Sequence, residues 1–399
     1  MTDTPTLAER RNRLVDQIAS GRTLPEAVER AMRTVERDRY LPGLDPYRAY
    51  TDEAVSIKEN PDGPLPLSLA SVPSIVAMML AQLDPQLGDN ILEIGAGTGY
   101  NAALLAEVVG PDGAVTTVDI DSDAALHARQ TLNATGFERV TVIERDGLKG
   151  APENAPYDRM TATVGLWDIP RAWWEQLDDG GRLVLPFRWR GQTQSVALVR
   201  RGNTLLSEGM ELCGFVPVLG QDGERTVELL DGRVRLHHDQ DQVVDAEALA
   251  GVFDTPKVEV WSGARVGGEE PFDGIWLRAT VGDDVVCRVA VTSEALEAGV
   301  RRPVIPIRTP ALVVDGSLAY TIVMRQDADS DRSHRMGAVG YGPDGAALAA
   351  RLVKHIDAWG ADRKAVPTMT IYPVDSLVDK PEKGHLIMKS ESVVVLAYS

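Results

Sequence analysis

The segment Ile91-Leu-Glu-Ile-Gly-Ala-Gly-Thr-Gly-Tyr100 carries the sharpest chemical signal in the chain. An apolar run that reads as a buried strand ends in a loop with glycines at 95, 97 and 99, and a helical pattern follows. Glycine lets a backbone turn tightly and approach a ligand without a Cβ in the way. The free N–H groups of the helix N-terminus face the same ligand. A dinucleotide fingerprint places its third glycine one residue later, where this chain has Tyr100. The G-x-G-x-G spacing, with Glu93 on the strand before it, favours S-adenosyl-L-methionine over NAD. The residues expected to hold that cofactor here are Glu93, Gly95, Ala96, Gly97, Thr98, Gly99 and Asn101.

Two further positions fall in register with the loop. Asp119 ends the next strand-like run, twenty residues past Gly99, with Ile120 after it. A carboxylate there can accept hydrogen bonds from both hydroxyls of a ribose. Asp146-Gly147 follows the third run, where an adenine would lie. Each has a plainer reading: Asp119, or its neighbour Ser122, as a helix N-cap, and Asp146-Gly147 as an ordinary turn. All three sites follow successive strands, so cofactor binding explains them better together than turns and caps explain them singly.

These residues need a frame that puts strand ends side by side. NILEI, AVTTVD, VTVIE, YDRMTA and GGRLVLPF are short β-rich runs, separated by helical segments near 99–109, 122–134 and 170–177. Strands alternating with helices at this spacing make βαβ units and a mainly parallel sheet. Ahead of them, Thr6 and Glu9 can form a capping box before LAERRNRLVDQIA, and a second helix starts near Pro25. A Pro-, Asp- and Gly-rich loop spans 41–66. Past about Gly220 the pattern changes to KVEVW, IWLRATV, VVCRVAV, LAYTIVM, TMTIYPV and SVVVLAY, all strand-like. One long amphipathic helix stands among them, Ala346 to Trp359. The expected organisation is an α/β domain over 1–222 and an α+β domain over 223–399.

Composition narrows the function classes. The net charge is −18, from 41 basic and 59 acidic residues. A partner held through its phosphates needs clustered Lys and Arg, so nucleic acid is not an expected partner. No apolar run approaches the roughly 20 residues that cross a bilayer, and the N-terminus turns polar where a secretory signal is apolar. Cys213 and Cys287 make no disulfide framework and no metal spacing. His237-His238 and Asp239 suggest a metal, but adjacent histidines on a strand point to opposite faces. The expectation is a cytoplasmic protein without membrane segment or metal.

The segment LEIGAGTGYNAALLAEVVG resembles the signature of protein-L-isoaspartate (D-aspartate) O-methyltransferases. VERDRYLP at 35–42, AYTDEA at 49–54, YDRMTATVGLWDIP at 157–170, DGGRLVLPF at 179–187 and CGFVPVLG at 213–220 match the same family in the same order. The resemblance implies a class I, Rossmann-like methyltransferase fold and methyl transfer to a side-chain carboxylate, with S-adenosyl-L-homocysteine as product. Ser68-Leu69-Ala70-Ser71-Val72-Pro73 stands where the family carries Thr-x-Ser-x-Pro, whose serine lies against cofactor and acceptor. Ser71 is thus the expected catalytic residue, with Leu69, Val72, Pro73, Ser74, Val164 and Gly165 around the acceptor. Leu69 replaces the usual threonine, and Ser74 stands where repair enzymes usually have histidine. In isolation, Ser71 also reads as an N-cap for the helix starting at Pro73. An aspartate carboxylate has a reference pKa of about 3.9, so the reaction asks for positioning of an ionised acceptor and no general base. His127, on the helix after Asp119, reads as a solvated helix residue.

The chain continues well past CGFVPVLG, where ordinary repair enzymes end. That architecture is similar to homologues encoded with graspetides and lanthipeptides, which methylate an aspartate in a constrained ribosomal precursor and so lead to aspartimide. Three functions follow: tailoring of a macrocyclic precursor peptide, repair of isoaspartyl protein by an enzyme with an accessory domain, and a non-catalytic homologue that binds peptide or cofactor. The intact loop, Asp119 and Ser71 weigh against the third. The extension and Leu69 favour the first, with residues 223–399 recognising the peptide.

Overall fold

The computed structural model describes residues 5–58, 68–268, 270–325, 333–376 and 384–398. They form two compact units, 1–187 with 193–221, and 188–192 with 222–399.

In the first unit the capping box at Thr6 is formed. The Thr6 backbone N–H donates to Glu9 Oε2 at 2.7 Å and the Glu9 N–H donates to Thr6 Oγ1 at 3.2 Å, opening α1 (Leu7–Gly21). α2 (Glu26–Thr34) follows, then the hairpin of β1 (Val55–Lys58) and β2 (Ser68–Ala70) and α3 (Pro73–Leu83). Of the long loop expected from the sequence, residues 59–66 lie outside the described residues. The alternating part is β3 (Asn90–Ile94), α4 (Tyr100–Val109), β4 (Ala114–Asp119), α5 (Ser122–Ala134), β5 (Thr141–Glu144), β6 (Tyr157–Ala162), α6 (Arg171–Gln176), β7 (Leu177–Trp189), β8 (Gln192–Arg201) and β9 (Thr204–Leu212).

Strands of this unit lie in the order β9-β8-β7-β6-β3-β4-β5. The pairs β3–β4, β4–β5, β3–β6 and β6–β7 are parallel, and β8–β9 is antiparallel. β3 runs apolar because both of its faces are covered: Ile91, Leu92 and Ile94 are buried. α4 is buried nearly all round (Ala102 to Ala106, Val108, Val109) and packs with α1, α2 and α3 into one core. The chain moves outward from β3 through β4 to β5, then returns to the other side of β3 with β6. Ligands of open α/β sheets sit beyond the strand C-termini where the order reverses, here between Ile94 and Ala162. This is the class I methyltransferase arrangement.

The second unit has a seven-stranded antiparallel sheet in the order β10-β11-β13-β14-β15-β16-β12. Its strands are β10 (Glu224–Leu229), β11 (Val234–Asp239), β12 (Val258–Val266), β13 (Val286–Val291), β14 (Thr309–Val314), β15 (Ser317–Arg325) and β16 (His334–Tyr341). Helices α7 (Gly274–Gly282), α8 (Ser293–Glu297) and α9 (Gly345–Ala361) accompany it, and β17 (Thr368–Pro373), β19 (Ser392–Ala397) and β18 (His385–Met388) pair antiparallel in that order. α9 buries Leu348, Leu352, Val353, Ile356 and Trp359 against the sheet.

One expected strand is a helix. IWLRATV forms α7, although Ile275, Trp276, Thr280 and Val281 favour strands. Ile275, Trp276, Leu277, Ala279 and Thr280 are buried, the Trp276 indole donates to the Arg190 carbonyl at 2.9 Å, and Gly274 lies close against Trp359 of α9. This packing overrides local propensity.

Candidate active site

The glycine loop takes the form its spacing requires. Gly95 has φ +98°, and a Cβ there would lie 2.4 Å from Thr163 Oγ1. Gly97 has φ +50°, and a Cβ there would point into open space, so its lack of a side chain keeps room for a ligand. The Gly95 and Ala96 N–H groups donate to the Val118 carbonyl at 2.8 and 3.2 Å. The Thr163 hydroxyl donates to the Gly95 carbonyl at 2.8 Å. β4 and the end of β6 thus clamp the loop from two sides. Gly99 is the N-cap of α4 and offers no capping side chain; the Tyr100 N–H donates to Thr98 Oγ1 at 3.4 Å, and the next N–H groups of the first turn remain for an outside acceptor.

A cleft opens over this loop. Of the residues expected from the sequence, Leu69, Ser71, Glu93, Gly95, Ala96, Gly97, Thr98 and Asn101 line it. Arg37, Tyr100, Thr161, Thr163 and Phe215 line it too and were not singled out from the sequence. Arg37 stands inside VERDRYLP, but nothing local marks it as buried.

Glu93 is wholly buried; its Oε1 accepts from Asn101 Nδ2 at 2.8 Å and its Oε2 from Thr117 Oγ1 at 2.6 Å. Burial pushes its carboxyl up to about 7, against the two hydrogen bonds that favour ionisation.

The other expected residues stand around the cleft. Asp119 ends β4, its Oδ2 accepting from the Gly97 N–H and its Oδ1 from the Asp121 N–H, both at 3.0 Å. It ties the loop down and is not the cap of α5; nor is Ser122. Asp121 is, accepting from the Asp123 and Ala124 N–H groups. Ile120 is about half exposed beyond β4. Asp146 accepts from the Leu148 N–H at 3.0 Å in the turn expected of it, and a Cβ on Gly147 would lie 2.5 Å from Ile94 Cγ2. Val164 and Gly165 follow β6; the Gly165 N–H donates to the Val216 carbonyl at 2.7 Å.

On the acceptor side, Leu69 pairs with Ser56 across the β1–β2 hairpin. Pro73 is the first residue of α3, and Val72 is its N-cap without a side-chain hydrogen bond. Ser71 is therefore not the helix cap that it resembles in isolation. The Ser74 N–H donates to Asp52 Oδ1 at 2.8 Å. His127, half-buried on α5, lies 3.4 Å from the Tyr40 carbonyl. In the second unit, His237 contacts Thr226 and His238 the Asp239 carbonyl; among the described residues no group of His, Cys, Asp and Glu could hold a metal, and no helix is long and apolar enough to cross a membrane.

The family model of protein-L-isoaspartate(D-aspartate) O-methyltransferase matches residues 9–223. The chain belongs to this family. A protein-L-isoaspartate O-methyltransferase of Methanopyrus kandleri is 39% identical over 225 residues, 53% of this chain and 92% of its own. One of Methanothermobacter thermautotrophicus is 36% identical over 217 residues, 54% of this chain and 97% of its own. A solved structure titled protein-L-isoaspartate O-methyltransferase aligns over 96% of this chain and 98% of its own, with TM-score 0.50 and 17% identity; that likeness is one of fold. As a family member this is an S-adenosylmethionine-dependent protein carboxyl O-methyltransferase, and the non-catalytic alternative falls. The site suits its cofactor: a buried carboxylate beneath the glycine loop, open space at Gly97, the N-terminal turn of α4 and Asp119 at the strand end.

Proposed function

We propose that this enzyme methylates an aspartate side chain in a constrained ribosomal precursor peptide, and that the ester leads to aspartimide when the neighbouring backbone nitrogen attacks it. The observation that carries the reading is Leu69 in the wall of the cleft, where repair enzymes resembling this chain usually have threonine. An aliphatic side chain gives the acceptor no hydrogen bond, so selectivity must come from the structure around the aspartate. Ser74 in place of histidine supports the same reading. Residues 223–399 then recognise peptide features away from the acceptor.

In this proposal Glu93, the 95–99 loop, Asn101, Asp119, Ile120, Asp146 and Gly147 hold S-adenosylmethionine, which supplies a methyl group activated by positive sulfur. Ser71 places the acceptor carboxylate, with Leu69, Val72, Pro73, Ser74, Val164 and Gly165 shaping its surroundings. The acceptor is ionised at neutral pH and needs no base. Glu93 is the only carboxylate among the described residues lining the cleft, and both its oxygens already accept hydrogen bonds. The enzyme acts in the cytoplasm, where its cofactor is made.

One observation favours repair of isoaspartyl protein instead. A structure titled protein-L-isoaspartate O-methyltransferase shares the fold over nearly the whole chain, so the extension alone is no mark of tailoring. The full-length enzyme should be assayed on a short isoaspartyl peptide and on a macrocyclic precursor. Strong preference for the macrocycle, without need of isoaspartate, supports tailoring. Efficient methylation of short isoaspartyl peptides of any sequence overturns it and leaves repair.

A further inference from the structure

Arg37 opens the short turn Arg37–Tyr40 after α2 and is 2% exposed. Arginine is almost never so deeply buried unless paired, because removing one charge from water is costly without a counter-ion. Yet Nη1 donates to the Ala49 carbonyl and Nη2 to the Ser71 carbonyl, each at 2.8 Å. No ion pair joins it to a carboxylate among the described residues. Its guanidinium carbon lies 5.9 Å from the Tyr100 ring centroid. Burial lowers its affinity for its proton, with only partial relief from the fields of Tyr100 and Asp52. A guanidinium has five N–H donors in a rigid fork, so the two carbonyls leave donors unused. The same side chain lines the cleft beside Ser71, Leu69 and the glycine loop.

We propose that Arg37 is the binding residue for the acceptor: its guanidinium takes the substrate's side-chain carboxylate as its missing counter-ion and holds it against Ser71. This rests on the carboxyl-methyltransferase activity of the family and holds for either an aspartyl or an isoaspartyl acceptor. The fork suits a carboxylate in a way that a lysine ammonium does not. A carboxylate is also the one partner whose charge changes in the reaction. The carboxylate oxygen takes the methyl carbon as the carbon–sulfur bond breaks, so an anion and a sulfonium become a neutral ester and a thioether. Arg37 therefore attracts the substrate and holds the neutral ester more weakly, which favours product release. Its attraction is greatest before transfer and fades as the charges cancel, so Arg37 acts on KM more than on kcat.

The cofactor's own carboxylate is the competing occupant. Arg37 bonds the carbonyl of Ser71, on the acceptor wall, and makes no hydrogen bond to the glycine loop. The cofactor's amino-acid end also carries an ammonium that offsets its carboxylate, so its arrival leaves the buried guanidinium poorly compensated.

The test compares paired fluorescein-labelled hexapeptides, one pair with isoaspartate against its side-chain amide and one with aspartate against asparagine. Binding is read by anisotropy with S-adenosylhomocysteine saturating. Wild type should bind the better carboxylate peptide at least tenfold more tightly than its amide twin. In Arg37→Gln that ratio should fall below threefold while calorimetry finds S-adenosylhomocysteine affinity within threefold of wild type. A merely structural role weakens both twins alike and keeps the ratio, which overturns the proposal. Loss of cofactor affinity with the ratio kept assigns Arg37 to the cofactor and also overturns it. No preference for carboxylate in the wild type overturns the proposal, while methyl transfer to the carboxylate peptide is measured separately and decides the activity. A second measurement does not depend on the folding of that variant. In wild-type protein labelled with 15N-arginine, one guanidinium resonance, absent from Arg37→Lys, should move with the carboxylate peptide and stay still with the amide. A resonance that responds alike to both twins rejects the assignment.

Discussion

Asn101 Nδ2 donates to Glu93 Oε1 at 2.8 Å, joining the second residue of α4 to the strand that precedes the glycine loop. The bond spans the loop and ties the strand end to the helix start. Thr117 Oγ1 holds the other oxygen from the neighbouring strand. The carboxylate is a three-way joint beneath the cofactor cleft, and its position depends on being buried.

That burial has a consequence for pH. The Glu93 carboxyl is raised from 4.5 to about 7, so the folded state holds its proton where the unfolded state has lost it. A raised carboxyl contributes fully below pH 4.5, and its contribution is lost as pH climbs through about 7. At 1.36 kcal/mol per unit, the loss amounts to about 3 kcal/mol. Glu93→Gln keeps the shape and cannot ionise, so urea unfolding of the apoprotein should show it losing less stability than wild type between pH 5 and 8. A difference between the two that does not change with pH would mean Glu93 is ionised throughout.

The βαβ frame was readable because short β-rich runs alternate with helical segments, and each helix between them starts at a turn or cap. NILEI, AVTTVD and YDRMTA are strands with the bounds read from the sequence. IWLRATV defeated the same reasoning, since a short apolar run has no periodicity to separate strand from buried helix; Trp359 and the Arg190 carbonyl decide it. Strands β8, β9, β10, β14, β16 and β18 were not picked out from the sequence, although each pairs with a strand adjacent to it in the chain. In the site, glycines and strand-end carboxylates were legible because their backbone role has a spacing. Arg37 was not, since what marks it is deep burial with no ion pair to a carboxylate among the described residues, and only the fold reveals that.

Asp119→Ala should lower affinity for S-adenosylhomocysteine at least tenfold in calorimetry. Its oxygens accept from Gly97 and Asp121 and retain lone pairs for ribose hydroxyls, and each hydrogen bond to a charged group is worth about 1.5–3 kcal/mol. The variant also releases the loop at Gly97. Unchanged binding would remove Asp119 from the cofactor site.

Ser71→Ala should leave cofactor affinity within threefold and slow methyl transfer at least tenfold. Helix stability is not at stake, because α3 is capped at Val72 without a side-chain bond. The Arg37 contact to the Ser71 carbonyl also survives, being made to the backbone. Loss of the hydroxyl therefore isolates its effect on the acceptor. Normal turnover would show that Ser71 serves only as a wall.

The choice of substrate can be tested by restoring the residues usual in repair enzymes. Leu69 lies on β2, paired with Ser56, and a threonine fits such a strand position at least as well. Ser74 lies in the first turn of α3, with its N–H on Asp52, so a histidine there would have a carboxylate within reach. A hydroxyl in place of an aliphatic chain supplies a donor to the acceptor, and a site built to hydrogen-bond its substrate discriminates far more strongly than an apolar one. Leu69→Thr with Ser74→His should raise kcat/KM on a short isoaspartyl peptide at least tenfold, with S-adenosylhomocysteine affinity unchanged. Tritiated methyl transfer measures the first and calorimetry the second. If the double variant gains nothing on such peptides, or wild type already methylates them as well, these two positions do not set the substrate, and Leu69 does not separate tailoring from repair.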